Sequence, residues 1–309
     1  MTVINEIIGF VTDPLMQRSL IAAVIVGLVA PVMGTYLVQR KLSLLGDGIG
    51  HVALTGVALG WIVGAAMGLV ERDALAIPGA VVTAIAGAVA IEFVRERGRT
   101  NGDIALALMF YAGIAGGVVL IGIAGGTNAN LMGYLFGSIS TVSQLDLLLI
   151  AGLGLVILVV GFGMRGLLFA VSHDEEFARA SGLPVRAANM VIAVIAALTV
   201  TVAMRVVGLL LVSAIMILPV AVAQLVTMSF RRTMTVAMFT GVTVSLVGLS
   251  ITYWYPLSPG ATIVMVAVLA YTLVAMARAL ILRLRPGSHD PHPHAVTAQP
   301  ADSITSVLG

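Results

Sequence analysis

Two side chains in this sequence sit where their chemistry is expensive. The stretch Leu45-Gly46-Asp47-Gly48-Ile49-Gly50-His51-Val52-Ala53-Leu54 sets an aspartate and a histidine among small and apolar residues. On a helix, residues four apart share one face and lie about 5–6 Å from each other. A carboxylate and an imidazole so spaced are suitable ligands for Zn²⁺, Mn²⁺ or Fe²⁺. Gly46, Gly48 and Gly50 leave bare backbone beside them, where an ion or another helix can approach. Two ligands are too few for a stable site, but a twofold dimer with this helix on its axis would supply two Asp and two His. The alternative is a buried Asp–His pair that only locks helix packing, or an Asp at a membrane edge.

A second stretch, Ser172 to Pro184, is polar and acidic at its start. Ser172 and Glu175 have the spacing of a capping box. Asp174, Glu175 and Glu176 crowd the first turn, where the helix dipole favours acids. Gly182 suits the C-terminal cap, and Pro184 prevents continuation. The pattern predicts a helix of about two turns over 173–182 that exposes Phe177, Ala178 and Ala180. So short a helix is marginal alone, so it docks either on a partner or on the chain's own spans.

The remaining chemistry is negative. There is no cysteine, which excludes disulfides and thiolate metal sites. No His-Glu-x-x-His, Gly-x-Ser-x-Gly or Walker A motif occurs, so no ATPase activity of its own is expected. Fifteen scattered methionines read as lipid-facing or core filler, and no run of bases with aromatics suggests nucleic acid as a partner.

The elements that must carry these residues are membrane helices. Of 309 residues, 60% are hydrophobic and 10% charged, against about 25% charged in a soluble domain. Candidate spans, each of about 20 apolar residues, fall at 15–38, 44–68, 74–94, 103–124, 145–164, 187–204, 207–229, 234–253 and 261–282. The cut between 204 and 207 rests on Arg205 alone, and eight spans plus a re-entrant segment is the alternative. The fold class is an all-α polytopic membrane protein. His51 lies about 15 Å beyond Lys41, near the bilayer midplane, and Asp47 one turn closer to the surface.

Charge sorts the loops. Arg40, Lys41, Arg95, Arg97, Arg99, Arg165, Arg179, Arg186, Arg231, Arg232, Arg278, Arg283 and Arg285 fall in alternate connections. Only Arg18, Arg72 and Arg205 fall on the other side. The positive-inside rule then predicts a cytoplasmic C-terminus and, with nine spans, an external N-terminus. Residues 1–17 lack a basic start and read as an amphipathic lead-in rather than a signal peptide. Residues 1–285 form one transmembrane domain, and 286–309 a disordered tail rich in Pro and His. In that tail His289, His292 and His294 could bind a metal ion weakly or be incidental.

The sequence resembles the membrane permease subunits of the zinc/manganese (and iron) class of ABC importers. The likeness is carried by Arg40-Lys41-Leu-Ser-Leu-Leu-Gly-Asp47-Gly-Ile-Gly-His51-Val-Ala-Leu and by Asp174-Glu-Glu-Phe-Ala-Arg-Ala-Ser-Gly182-Leu-Pro184. A third stretch is Val207-Gly-Leu-Leu-Leu-Val-Ser-Ala-Ile-Met-Ile-Leu-Pro219-Val-Ala-Val-Ala. The resemblance implies a fold similar to vitamin B12 and siderophore importer permeases, working as a pair with two cytoplasmic ATPase subunits and an extracytoplasmic metal-binding protein. It implies that residues 173–182 are the coupling helix, with Asp174, Glu175, Glu176, Phe177, Ala178, Arg179 and Gly182 at the ATPase. It also implies that Asp47 and His51 match the family's Asp-x-x-x-His, an intramembrane metal site between protomers. Gly48 and Gly50 stand where relatives often carry Ala or Ser.

The expectation is therefore a homodimeric permease of the cell membrane, without enzymatic activity or a permanently bound cofactor. It would move Zn²⁺, Mn²⁺ or Fe²⁺ inward by alternating access. The alternatives are an importer of a metal chelate or other organic ligand, a proton-coupled secondary transporter, and an intramembrane metal-dependent hydrolase. The hydrolase would need three protein ligands at one centre, and the spans hold a single histidine.

Overall fold

Asp13 and Pro14 start the first span. The Asp13 side chain accepts a hydrogen bond from the Leu15 amide at 2.8 Å, and Pro14 fills the first turn, where an N–H is not needed. The computed structural model describes residues 12–69, 73–97, 102–138 and 142–284. Its elements are α1 (Pro14–Gln39), α2 (Leu45–Ala66), α3 (Ala76–Glu96), α4 (Gly102–Ile123), α5 (Asn128–Phe136) and α6 (Gln144–Gly163). They continue with α7 (Arg165–His173), α8 (Glu175–Ala180), α9 (Val185–Ala203), a 3₁₀ turn (Leu209–Leu211), α10 (Val212–Val226), α11 (Phe230–Trp254) and α12 (Pro259–Leu284). No strand occurs among the described residues.

Nine helices among the described residues are long and apolar enough to cross a membrane: α1 to α4, α6, α9, the segment Leu209–Val226, α11 and α12. These nine candidate spans agree in number and order with the nine read from the sequence. The uncertain cut is made by Gly208, three residues beyond Arg205. Gly208 has φ +83°, and a side chain there would meet the backbone of Phe136 and Gly137. Only glycine fits such a turn.

The bundle has inner and outer helices. In α1 and α9, 72% of the most apolar window is buried, against 17% in α4 and 11% in α12. α2 is sandwiched between α3 and α4, while α1 packs on α11, α10 and α6, and α9 fills the centre between α3 and α1. Small residues set the approach. At the crossing of α1 and α11, Gly27 and Gly241 each face the other's backbone, a closeness that substitutes for the missing hydrophobic drive between helices in lipid.

Two short helices complete the fold. The connection 125–144, read as a plain separator, contains α5, opened by a capping box in which Thr127 and Asn130 exchange hydrogen bonds. α7 buries Leu168 and Val171 on one face and leads directly into α8. The tail histidines His289, His292 and His294, the connections holding Arg72 and Arg99, and residues 1–11 of the lead-in lie outside the described residues.

Candidate functional site

Asp47 lies in the first turn of α2 and is half-buried, whereas His51 one turn later is 3% exposed. The packing of α2 fixes which way this pair looks. Around the helix, Gly46 faces Ser213 of α10, Gly50 faces Leu209 and Val200, Gly48 faces Leu106 of α4, and Gly56 and Gly60 face α3. At 100° per residue, Asp47 and His51 fall in the sector between the α10 side and the α4 side, away from α3. The pair therefore faces the seam between α4 and α10.

The imidazole is held by packing. Phe110 of α4 lies edge-on to it with ring centroids 4.4 Å apart. α4 can come this near because Gly113 has no side chain; a Cβ there would sit 2.6 Å from the His51 carbonyl carbon. Thr55 adds a bond by donating its hydroxyl to the Gly113 carbonyl at 3.1 Å. His51 Nδ1 is buried and has no hydrogen-bond partner among the described residues. Among those residues, no hydrogen bond or ion pair holds the Asp47 carboxylate either. Buried polar atoms are normally paired, and here an imidazole nitrogen is free one turn from a free carboxylate. Within one protomer no third His, Asp or Glu among the described residues joins them.

The acidic segment at the Arg40 end differs from its expected form in three ways. The helix is Glu175–Ala180, shorter than 173–182, because His173 closes α7. Its cap is Asp174, whose carboxylate accepts from the Phe177 amide at 2.9 Å; the Ser172–Glu175 box does not form, since Ser172 is buried inside α7. Ala178 is buried, 0% exposed, beneath α7 and α9, so the expectation of an outward Ala178 is corrected. Glu175, freed from capping, takes Arg40 at 3.1 Å and Arg179 at 3.0 Å. The end is as expected. Gly182 has φ +75°, its amide bonds the Arg179 carbonyl, and the Leu183 amide bonds the Ala178 carbonyl, a Schellman closure. Phe177 stands 69% exposed, and Glu176 and Ala180 are exposed beside it.

A third cluster escaped the sequence reading. At the opposite end of the bundle Arg205 is 3% exposed, pairs with Asp73 at 3.3 Å and Asp146 at 3.5 Å, and lies 5.0 Å over the Tyr134 ring. Tyr134 and Trp61 both donate to Asp73, at 3.1 and 2.7 Å. The available signal was a lone arginine in the apolar run 187–229, which usually marks a buried partner.

A bundle of nine membrane-length helices, with a buried histidine and a half-buried aspartate one turn apart on α2, has the fold of a multi-pass permease. The chain belongs to the ABC 3 transport family, whose model matches residues 12–278. It is 34% identical over 263 residues to a manganese transport system membrane protein of Halalkalibacterium halodurans, covering 85% of this chain and 86% of that one. Among solved structures it is similar to PsaBC from Streptococcus pneumoniae in complex with Fab, with TM-score 0.79 and 30% identity over 91% of this chain and 99% of that chain. A putative metal-chelate type ABC transporter in an inward-facing conformation shares the fold at TM-score 0.57 and 16% identity, over 86% of this chain and 90% of that chain.

Proposed function

We propose that this protein is the membrane subunit of an ATP-driven importer that carries a divalent transition metal ion, manganese above all, into the cytoplasm. The observation that carries the reading is the buried His51 with its unpartnered Nδ1, one turn from the unpaired Asp47. An imidazole and a carboxylate suit Mn²⁺, Zn²⁺ and Fe²⁺ alike, and the manganese relative supports Mn²⁺ among them. A bare dication in hydrocarbon is prohibitively costly, so these groups replace part of its water shell at mid-membrane. A second copy of the chain, meeting the first along the α4–α10 seam, doubles the ligand set. So few ligands also let the ion leave.

The basic end of the bundle is cytoplasmic on the positive-inside rule, and the C-terminus with it. There α8 presents Phe177 and Glu176 to a groove of an ATPase subunit, and ATP binding biases the protomer pair between outward-open and inward-open states. At the opposite end an extracytoplasmic metal-binding protein delivers the ion.

Uptake of radiolabelled manganese in cells stripped of competing importers tests the site. Asp47→Ala and His51→Ala, at normal membrane abundance, are expected to lose at least about tenfold in rate, since even a residue that only supports a metal ligand usually costs that much. Full-rate transport by either variant sinks the assignment. Competition between free Mn²⁺ and a manganese chelate separates import of the ion from import of a complex.

A further inference from the structure

The short connection between α1 and α2 leads straight into the helix that bears Asp47, and it is fastened to the segment that bears α8. Gln39 Nε2 lies 2.9 Å from His173 Nδ1, and Arg40 donates to Glu175 at 3.1 Å. Arg40 is deeply set, its side chain 5% exposed, with Glu92 and Arg95 of α3 the next charges in reach. Among the described residues, Arg40–Glu175 is the one ion pair that joins α8 to another part of the bundle, the connection between α1 and α2, since Glu175–Arg179 is internal to α8.

The connection itself has little freedom. The Lys41 amide bonds the Val38 carbonyl, the Leu42 amide the Leu37 carbonyl, and the Leu45 amide the Leu42 carbonyl. This closes α1 with a Schellman turn and starts α2 three residues later. The turn's left-handed position is held by Lys41 at φ +58°, the one non-glycine residue with positive φ among the described residues. A side chain kept where glycine is favoured marks a backbone that its surroundings over-determine.

We infer that residues 39–44 are a rigid strut that makes α8 and the start of α2 move as one body, with Arg40 as its positioning residue. The inference rests on the ATP-driven reading above and deepens it. Displacement of α8 by the ATPase is passed through Glu175 to Arg40, and through the closed turn to Asp47 seven residues on. Transport and ATP hydrolysis stay linked because the metal face cannot lag behind the docking helix.

The test uses the purified permease–ATPase complex in proteoliposomes, reading Mn²⁺ transported per ATP hydrolysed. In Arg40→Met, hydrolysis is expected to continue while the transport ratio falls at least about fivefold, the lower end of usual coupling strengths. Arg40→Lys, which keeps a donor for Glu175, is expected to recover most of it. The chain lacks cysteine, so Gln39→Cys/His173→Cys can be bridged with a short thiol crosslinker. A strut that moves as one body keeps the same ratio before and after bridging. An unchanged ratio in Arg40→Met, or arrest of transport by the bridge, overturns the inference; if Arg40→Met does not assemble, the bridge alone decides. Failure of the wild-type complex to transport Mn²⁺ with ATP would instead remove the functional reading, and the strut with it.

Discussion

At the scale of single residues, the decisive question is whether His51 serves packing or solute. A buried imidazole with an unpartnered nitrogen contributes little to folding, because the orphaned atom keeps its desolvation cost. His51→Leu is therefore expected to leave the thermal midpoint of the detergent-purified protein within about 2 °C, a change of less than about 1 kcal/mol, while abolishing metal uptake. A packing role predicts the reverse: a large drop in midpoint with residual transport. Gly113 gives a second test of the same place. A methyl there strikes the His51 backbone, whereas at Gly116 it would meet Thr55 Oγ1 at 3.4 Å. Gly113→Ala should cost about 1–3 kcal/mol of strain and slow uptake strongly, with Gly116→Ala close to wild type in both. The Asp–His pair was legible in the sequence because nothing else polar surrounds it. Gly113 was not, since the register of α4 on α2 is set by contacts about sixty residues apart and leaves no local mark.

At the scale of elements, α8 shows what a pattern of six residues can and cannot say. Its existence and its stop were readable from the acids, Gly182 and Pro184. Its start was misread because Ser172 and Asp174 are both good caps, and the choice between them depends on how far α7 extends. Its facing was half misread because a helix under two turns has too few residues for periodicity to distinguish Ala178 from Ala180. The structure separates the two roles. Asp174→Ala removes the cap of a very short helix, at about 1 kcal/mol, and should raise backbone amide exchange over 175–180. Phe177→Glu touches an exposed ring and should leave that exchange and the fold unchanged. It is nevertheless expected to weaken association with the ATPase at least about tenfold, as loss of an aromatic anchor of about 2 kcal/mol does. Undiminished association would show that α8 docks only on its own bundle.

At the scale of the whole molecule, charge is scarce and divided between two ends with different tasks. The basic end carries Arg40, Glu175 and α8, where Arg40 is deeply set and Glu175 and Arg179 are open to solvent. The other end carries one buried arginine, Arg205, that gathers α3's entry (Asp73), α5 (Tyr134) and α6 (Asp146) around the exit of α9. Burial pushes the Tyr134 phenol up from its ordinary value, so its hydroxyl stays a donor to Asp73 through alkaline conditions. The count of nine spans was legible because each needs about 20 apolar residues, but this knot was not, since its members come from four elements and each looks like an isolated loop charge. Removing one member of a buried charge cluster leaves the others uncompensated, which costs about 3–5 kcal/mol, while removing both sides is far milder. Arg205→Met should thus lower the unfolding midpoint in detergent by several degrees. Adding Asp146→Asn should restore part of the loss, because the more buried of the two carboxylates left without a cation is then neutral, while the amide oxygen can still accept from the Ser143 N–H. Asp73, half exposed, can be solvated in place, so Asp73→Asn should rescue less. Equal rescue by the two would mean that Arg205 acts through general charge balance at this end; unequal rescue in the stated order ties it to Asp146 at the head of α6, where the knot joins the outer connections to the core.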